Sequence, residues 1–119
     1  MKKILLIEDE LLLQKSLKKL LERKGAQVIE TSSGKEAINK IETNNFDRII
    51  CDLMLQDISG FDVIEESKKK YSLNEISQLF IIITAYSSRQ VLEKAKAYGC
   101  LVIGKPFDDI NATLELFLK

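Results

Sequence analysis

Hydrophobic residues occur in short unbroken runs, separated by longer segments in which they recur every three or four positions. Short apolar runs between polar stretches are typical of buried strands, and the three-to-four spacing is typical of amphipathic helices. The runs predict strands at Ile4–Ile7, Gln27–Glu30, Arg48–Cys51, Leu79–Ile83 and Leu101–Ile103. The fourth run is apolar throughout and rich in isoleucine, as expected of a strand that is covered on both faces.

A segment of helical spacing follows each predicted strand. The five apolar stripes lie within Leu13–Leu21, Ala37–Ile41, Phe61–Ile64, Val91–Ala95 and Ile110–Phe117. Gly25 is expected to end the first helix, and Ser33–Glu36 has the spacing of a capping box for the second. Pro106 is expected to open the last helix, because proline is well tolerated at the first helical position.

Five alternating strand–helix units predict the fold class. Strands joined by helices run parallel with right-handed crossovers, which leads to an α/β fold built as a three-layer α/β/α sandwich. A chain of 119 residues suits one domain with a single core, and neither a linker nor an internal repeat interrupts it. We therefore expect residues 1–119 to form one domain.

Composition excludes several classes of function. Eighteen basic and eighteen acidic residues cancel, so charge gives no footprint for nucleic acid or for an anionic membrane. The chain has no histidine, which removes Ser–His and Cys–His nucleophiles and imidazole metal sites. Cys51 and Cys100 lie in apolar surroundings and are expected to be buried free thiols, although a disulfide between them is an alternative.

Nothing in the N-terminal sequence has the pattern of a targeting or membrane segment. Met1–Lys3 leads straight into strand-like sequence, which is too short for a signal peptide. No apolar run approaches the roughly 20 residues needed to cross a bilayer. A cytoplasmic location is therefore expected.

Polar residues with chemical potential follow the predicted strands directly. Glu8 and Asp9 follow the first strand, Asp52 the third, Thr84 the fourth and Lys105 the fifth. In sheets of this kind, ligands bind outside the carboxyl ends of the strands, where the strand order reverses. We therefore expect these five residues to converge at one edge.

Clustered carboxylates repel one another unless a cation joins them. Oxygen ligands without histidine or cysteine favour Mg²⁺. Lys105 would add a positive charge and Thr84 a hydroxyl donor, so the set has the parts that stabilise phosphoryl transfer onto Asp52. In the alternative interpretation the residues Glu8–Glu10 are a solvated turn and helix cap, and Asp52 is a turn residue. Glu10 itself is expected to start a helix rather than to bind metal.

The residues at the strand ends carry a resemblance to a known family. Glu8-Asp9 follow the first strand, Gly60 lies eight positions after Asp52, Thr84-Ala85 follows "III", and Lys105-Pro106-Phe107 follows the fifth strand. In this order and spacing, the whole chain resembles the receiver domain of two-component response regulators. The resemblance implies a flavodoxin-like, CheY-like (βα)5 fold with strand order 2-1-3-4-5.

The resemblance also implies a function and its participants. Asp52 would accept a phosphoryl group from a partner histidine kinase or histidine phosphotransfer protein, and the domain would act as a switch rather than as a turnover enzyme. Glu8, Asp9, Asp52 and the backbone carbonyl of Met54 would bind Mg²⁺. Thr84 would move toward the phosphoryl oxygens and Lys105 would pair with them. The Lys105–Pro106 peptide bond would be cis.

The chain departs from the family pattern at a few positions. Val102 stands where the family usually has an aromatic ring that turns inward as the threonine moves, and a branched aliphatic side chain cannot make that rotation. Gln56 replaces a common proline in the loop after the acceptor. Met54 and Tyr86 lie where the family tunes access of water to the aspartyl phosphate, and neither has a group that positions water. Slow self-dephosphorylation is therefore expected.

Two other functions fit parts of the sequence. A degenerate receiver would bind a partner protein without being phosphorylated, and the departures at Gln56 and Val102 are compatible with it. A magnesium-dependent phosphatase or phosphotransferase for a small substrate would need a second acid and an enclosing cap, and no insertion is long enough for a cap. For a phosphorylated receiver, the family places the output surface around Ser87–Arg89, Val102 and Phe107.

Overall fold

Strands and helices alternate along the whole chain in the computed structural model, which describes residues 1–119. The strands are β1 (Lys3–Ile7), β2 (Gln27–Thr31), β3 (Arg48–Asp52), β4 (Phe80–Thr84) and β5 (Leu101–Gly104). The helices are α1 (Leu11–Arg23), α2 (Gly34–Thr43), α3 (Gly60–Ser67), α4 (Leu73–Leu79), α5 (Arg89–Tyr98) and α6 (Ile110–Leu118). The strands form one parallel sheet in the order β2-β1-β3-β4-β5, so the predicted fold class and strand order are confirmed.

The hydrophobic core consists of two layers, one on each face of the sheet. Alternate residues of β1 point to opposite faces, so that Leu5 and Ile7 join one layer and Ile4 and Leu6 the other. Helices α2, α3, α4 and α5 cover the first face, and α1 and α6 cover the second. Because both faces are covered, the central strands β1, β3 and β4 each contain an unbroken apolar run in the sequence.

Helix α4 was not predicted, and the strand expected from Leu79 begins one residue later. Leu79 is the last residue of α4, and Phe80 starts β4 directly after it. The helix has only seven residues and buries only Ile76 and Leu79, so its apolar stripe merges with the strand that follows. A local signal was present: Ser72 and Glu75 form a reciprocal capping box at its start.

The prediction that Pro106 opens the last helix is wrong. Helix α6 begins at Ile110, where the side chain of Asp109 accepts a hydrogen bond from the backbone N–H of Ala112. Aspartate is a strong N-cap residue, because its carboxylate satisfies an amide that has no partner within the helix. Pro106 instead lies in the connection between β5 and α6, and its peptide bond with Lys105 is cis.

Other local expectations are met in whole or in part. The Ser33 side chain caps α2 by accepting from the Glu36 amide, but the Ser33 amide donates to Thr31 Oγ1, so the box is not reciprocal. Cys51 and Cys100 are buried and free, as expected. None of the helices is long and apolar enough to cross a membrane.

The sheet register brings the strand ends to one edge. Ile7 of β1 is level with Cys51 of β3, so the residues that follow them, Glu8 and Asp52, are neighbours. On the other side, Thr84 of β4 is level with Gly104 of β5, which precedes Lys105. Residues separated by up to 97 positions in the chain therefore meet at the carboxyl edge of the sheet.

Candidate functional site

Three carboxylates form a cluster at this edge. One oxygen from each of Glu8, Asp9 and Asp52 lies within 4.8 Å of the others. Glu8 and Asp52 are buried, whereas Asp9 is partly exposed. Hard oxygen donors at this spacing, with one side open to solvent, fit the requirements of Mg²⁺, which binds few carboxylates and keeps several waters.

Lys105 connects the two buried carboxylates. Its Nζ atom lies 2.8 Å from Glu8 Oε1 and 3.1 Å from Asp52 Oδ2, and only 13% of its side chain is exposed. Burial alone would lower the pKa of Lys105, but the hydrogen bond that its ammonium donates to Glu8 and the charge of Asp52 outweigh this effect and raise the pKa. The ammonium group therefore stays charged and neutralises part of the acidic cluster.

Glu8 is fixed by contacts on both its backbone and its side chain. The Gln14 side chain donates a hydrogen bond of 2.8 Å to the Glu8 carbonyl, and the Glu10 amide donates one of 3.1 Å to Glu8 Oε2. Burial, followed by the hydrogen bond with Asp52, raises the pKa of Glu8 to about 7. Gln14 was not predicted from the sequence. The available signal was its spacing of three and seven positions from Leu17 and Leu21, which places a polar side chain on the apolar face of the helix.

Asp52 is the last residue of β3, and each of its carboxylate oxygens has a partner. Oδ1 accepts a hydrogen bond of 3.1 Å from the Met54 amide, and Oδ2 accepts one from Lys105. Gly60, the first residue of α3, packs so closely on this segment that a Cβ atom there would overlap the Asp52 carbonyl oxygen. The eight-residue spacing between Asp52 and Gly60 thus has a steric reason.

The Thr84 hydroxyl is bonded to the next loop rather than to the acidic cluster. Thr84 Oγ1 lies 3.0 Å from both the backbone oxygen and the backbone nitrogen of Tyr86, donating to the first and accepting from the second. Thr84 is 1% exposed, so its hydroxyl is shielded from water. To donate to a ligand at the cluster, the hydroxyl must give up the hydrogen bond that it donates to the Tyr86 carbonyl.

The positions that depart from the family pattern surround this edge. Val102 is half-buried and packs against the core layer that includes Ala95 and Cys100. Met54 and Tyr86 are 58% and 65% exposed, on the loops after β3 and β4.

Glu10 directly precedes α1, as expected. Its side chain is exposed and makes no capping hydrogen bond.

A further carboxylate, which the sequence did not single out, holds the loop after β3. Asp57 accepts hydrogen bonds from Ser33 Oγ at 2.8 Å and from the amides of Gly34 and Lys35 at 3.0 Å each. The backbone hydrogen bonds from Lys35 and Gly34 lower the pKa of Asp57 well below its usual range. The loop that follows Asp52 is thereby attached to the first turn of α2.

A doubly wound parallel sheet of this kind belongs to the class of α/β proteins that bind their ligands at the carboxyl edge, and here that edge has an acidic cluster, a lysine and a threonine. The chain belongs to the response regulator receiver domain family, whose model matches residues 4–115. The resemblance stated from the sequence is therefore confirmed. Receiver domains accept phosphate from histidine kinases and are signalling domains rather than turnover enzymes.

Known proteins of the family are similar over nearly the whole chain. The polar-differentiation response regulator DivK of Brucella ovis is 31% identical over 106 residues, covering 88% of this chain and 85% of DivK. The non-phosphorylated receiver domain of HemR from Leptospira biflexa is 32% identical with a TM-score of 0.85, covering 98% and 90% of the two chains. The response regulator TrrA of Thermotoga maritima, in complex with Mg²⁺ and BeF, is 27% identical with a TM-score of 0.74, covering 97% of each chain.

Several curated relatives are longer than this chain. The chain spans 47% and 55% of the length of two transcriptional regulators that it matches, from Pyropia yezoensis and Helicobacter pylori. The similarity therefore concerns the receiver part of those proteins.

Proposed function

We propose that residues 1–119 form a receiver domain in which Asp52 accepts a phosphoryl group from a histidine kinase or a histidine phosphotransfer protein. The observation that carries the proposal is the environment of the Asp52 carboxylate. This carboxylate is buried at the carboxyl edge of the sheet. It belongs to the acidic cluster and lies 3.1 Å from Lys105 Nζ. A carboxylate held between a cation site and an ammonium group can act as a nucleophile toward an anionic phosphoryl group.

In this proposal, Mg²⁺ is held by Glu8, Asp9, Asp52 and the Met54 backbone carbonyl. The metal would neutralise charge on the phosphoryl oxygens when bound. The Mg²⁺–BeF complex of the similar TrrA regulator supports a magnesium site in this fold. The measured spacing of the three carboxylates is compatible with it.

The proposed transfer uses groups already present at the edge. An Asp52 oxygen forms the new P–O bond while the P–N bond to the partner's imidazole breaks, and the partner's histidine is left neutral after taking up a proton. Lys105 shifts from the Asp52 oxygen to an oxygen of the phosphoryl group. This move keeps the ammonium paired throughout, which limits the cost of charge burial.

Phosphorylation would be detected by a partner protein as a change in the surface of the domain. When the Thr84 hydroxyl donates to a phosphoryl oxygen, it gives up the hydrogen bond that it donates to the Tyr86 carbonyl in this structure. The loop that follows includes Ser87–Arg89, and with Val102 and Phe107 it would form the output surface. The change biases an existing two-state equilibrium. The proposal includes a cytoplasmic location, since buried free thiols suit a reducing compartment.

Incubation with Mg²⁺ and acetyl phosphate, followed by intact-mass measurement, tests the proposal. We expect a gain of one phosphoryl group that is lost in Asp52→Asn and in the double variant Glu8→Ala, Asp9→Ala. Glu10→Ala is the matched control, because it removes a neighbouring acid that is exposed, and it should be phosphorylated normally. If neither acetyl phosphate nor a kinase modifies the wild-type chain, the proposal fails and the chain acts as a phosphorylation-independent binding module.

A further inference from the structure

The loop between β3 and α3, residues 53–59, contains the carbonyl proposed as a metal ligand but no proline. The only proline of the chain is Pro106, and position 56 is an exposed glutamine. Proline restricts the backbone through its fixed φ angle, so without one any restraint on this loop has to come from another source. Contacts with neighbouring elements are the remaining source.

Asp57 provides polar contacts of this kind. Its two carboxylate oxygens accept three hydrogen bonds from the start of α2, one from the Ser33 hydroxyl and two from the amides of Gly34 and Lys35. Hydrogen bonds to a charged acceptor are roughly twice as strong as those between neutral groups. The loop is therefore tied to α2 at a point three residues after Met54.

Apolar contacts hold the same loop against the same helix turn. A Cβ atom at Gly34 would lie 2.5 Å from Ile58 Cγ1 and 3.2 Å from Leu55 Cδ1, so only glycine lets both side chains pack there. The far end of the loop is fixed by a backbone hydrogen bond of 3.0 Å from the Gly60 amide to the Leu53 carbonyl. Residues on both sides of Met54 are thus anchored.

Capping of α2 does not by itself account for Asp57. Ser33 already caps this helix in the usual way, by accepting from the Glu36 amide at 3.1 Å. Asp57 comes from another part of the chain, and it bonds two further amides of the first turn together with the capping side chain itself. Its position therefore joins two elements rather than only ending one.

We propose that Asp57 is a positioning residue for metal binding: by fastening the β3–α3 loop to the first turn of α2, it holds the Met54 carbonyl beside Asp52. The inference rests on the proposed function, because it takes the Met54 carbonyl as a ligand of Mg²⁺. Partners that orient metal ligands typically change metal affinity by about 10- to 100-fold when they are lost. Asp57 acts through a short stretch of backbone, so we expect about tenfold.

This inference can be tested without phosphorylation by titrating the purified chain with Mg²⁺. Calorimetry and amide chemical shifts monitor the binding. Asp57→Ala should raise the Kd for Mg²⁺ about tenfold, and the amides of Met54 and Leu55 should exchange with solvent faster than in the wild type. Asp57→Asn keeps one acceptor oxygen and should give an intermediate Kd. It also serves as the test variant if Asp57→Ala does not fold.

Ser72→Ala is the matched control for a purely structural role. It removes the capping side chain of α4, a helix that leads into the start of β4 and not into the acidic edge. It should lower the stability of the chain while leaving the Kd for Mg²⁺ unchanged.

The outcomes separate the two proposals. If folded Asp57 variants bind Mg²⁺ as tightly as the wild type, the inference about Asp57 is overturned while the magnesium site stands. If the wild-type chain itself binds no Mg²⁺, the magnesium part of the proposed function is overturned and the role of Asp57 with it.

Discussion

The ammonium group of Lys105 lies 2.8 Å from the buried carboxylate of Glu8, although 97 positions separate the two residues in the chain. The same ammonium bonds Asp52, so a single cation serves two carboxylates that are almost fully removed from water. A buried charge that loses its partner is strongly destabilising. The pair therefore links the electrostatics of the site to the stability of the fold.

Replacement of Lys105 by alanine should destabilise the metal-free chain. With its partner gone, the buried acidic pair is left without a cation, and we expect the free energy of unfolding to fall by about 3 kcal/mol. Added Mg²⁺ should recover part of this loss, because it supplies positive charge at the same place. Urea unfolding with and without Mg²⁺ measures both effects. Lys15→Ala, at an exposed lysine of α1 that forms no ion pair, is the control, and equal stability of the two variants would refute the prediction.

A methyl group at Gly60 should disturb the phosphoacceptor strand. The added Cβ atom would overlap the Asp52 carbonyl oxygen, a backbone atom that cannot move without shifting β3. Overpacking of this kind costs about 2 kcal/mol, so Gly60→Ala should lower stability by about that amount. Gly104→Ala is matched in chemistry but meets no atom within 4 Å, and it should leave stability nearly unchanged. Similar unfolding midpoints for both variants would contradict the steric argument.

The phosphorylated chain should lose its phosphoryl group slowly. Met54 and Tyr86 are exposed on the two loops that border Asp52 and Thr84, and neither side chain has a carboxylate or amide to orient an attacking water. We expect the aspartyl phosphate to persist for minutes or longer once the donor is removed, measured by intact mass over time. Met54→Asn should shorten this time. Leu12→Asn introduces the same group at an exposed position of α1 and should not, and a wild-type half-life of seconds would disprove the expectation.

The stability that Asp57 contributes should depend on pH. Hydrogen bonds from Lys35 and Gly34 hold the pKa of this carboxyl below its ordinary value of 3.8 in the folded chain, so acid protonates the unfolded state first. The contribution is therefore complete above pH 3.8 and is lost as the pH falls toward the lower pKa of the folded state. The stability difference between the wild type and Asp57→Asn, measured by urea unfolding, should shrink over that range.

Asp108→Asn is the control for Asp57, because it removes an exposed carboxylate that makes no hydrogen bond. It corrects for the loss of one negative charge. A difference between the wild type and Asp57→Asn that stays constant into acid would show that the charge of Asp57 does not strengthen its hydrogen bonds.

Local patterns in the sequence determined the strands, five of the helices and the polar residues that follow the strands. The central strands β1, β3 and β4 are largely buried, so each contains an apolar run that can be recognised without knowing its neighbours. The pattern did not separate Leu79 from β4, because a seven-residue helix joins that strand without a polar break. It also placed the start of α6 at Pro106, where the capping side chain of Asp109 in fact sets the boundary.

The sequence by itself determined which side chains lie at the carboxyl edge, because parallel strands that alternate with helices must end on the same side. Only the tertiary structure decided how those side chains pair. The ammonium of Lys105 bonds Glu8 as well as Asp52, the hydroxyl of Thr84 bonds Tyr86, and Asp57 fastens its loop to α2. These contacts depend on the distances between elements that are remote in the chain, and those distances are set by the packing of both core layers.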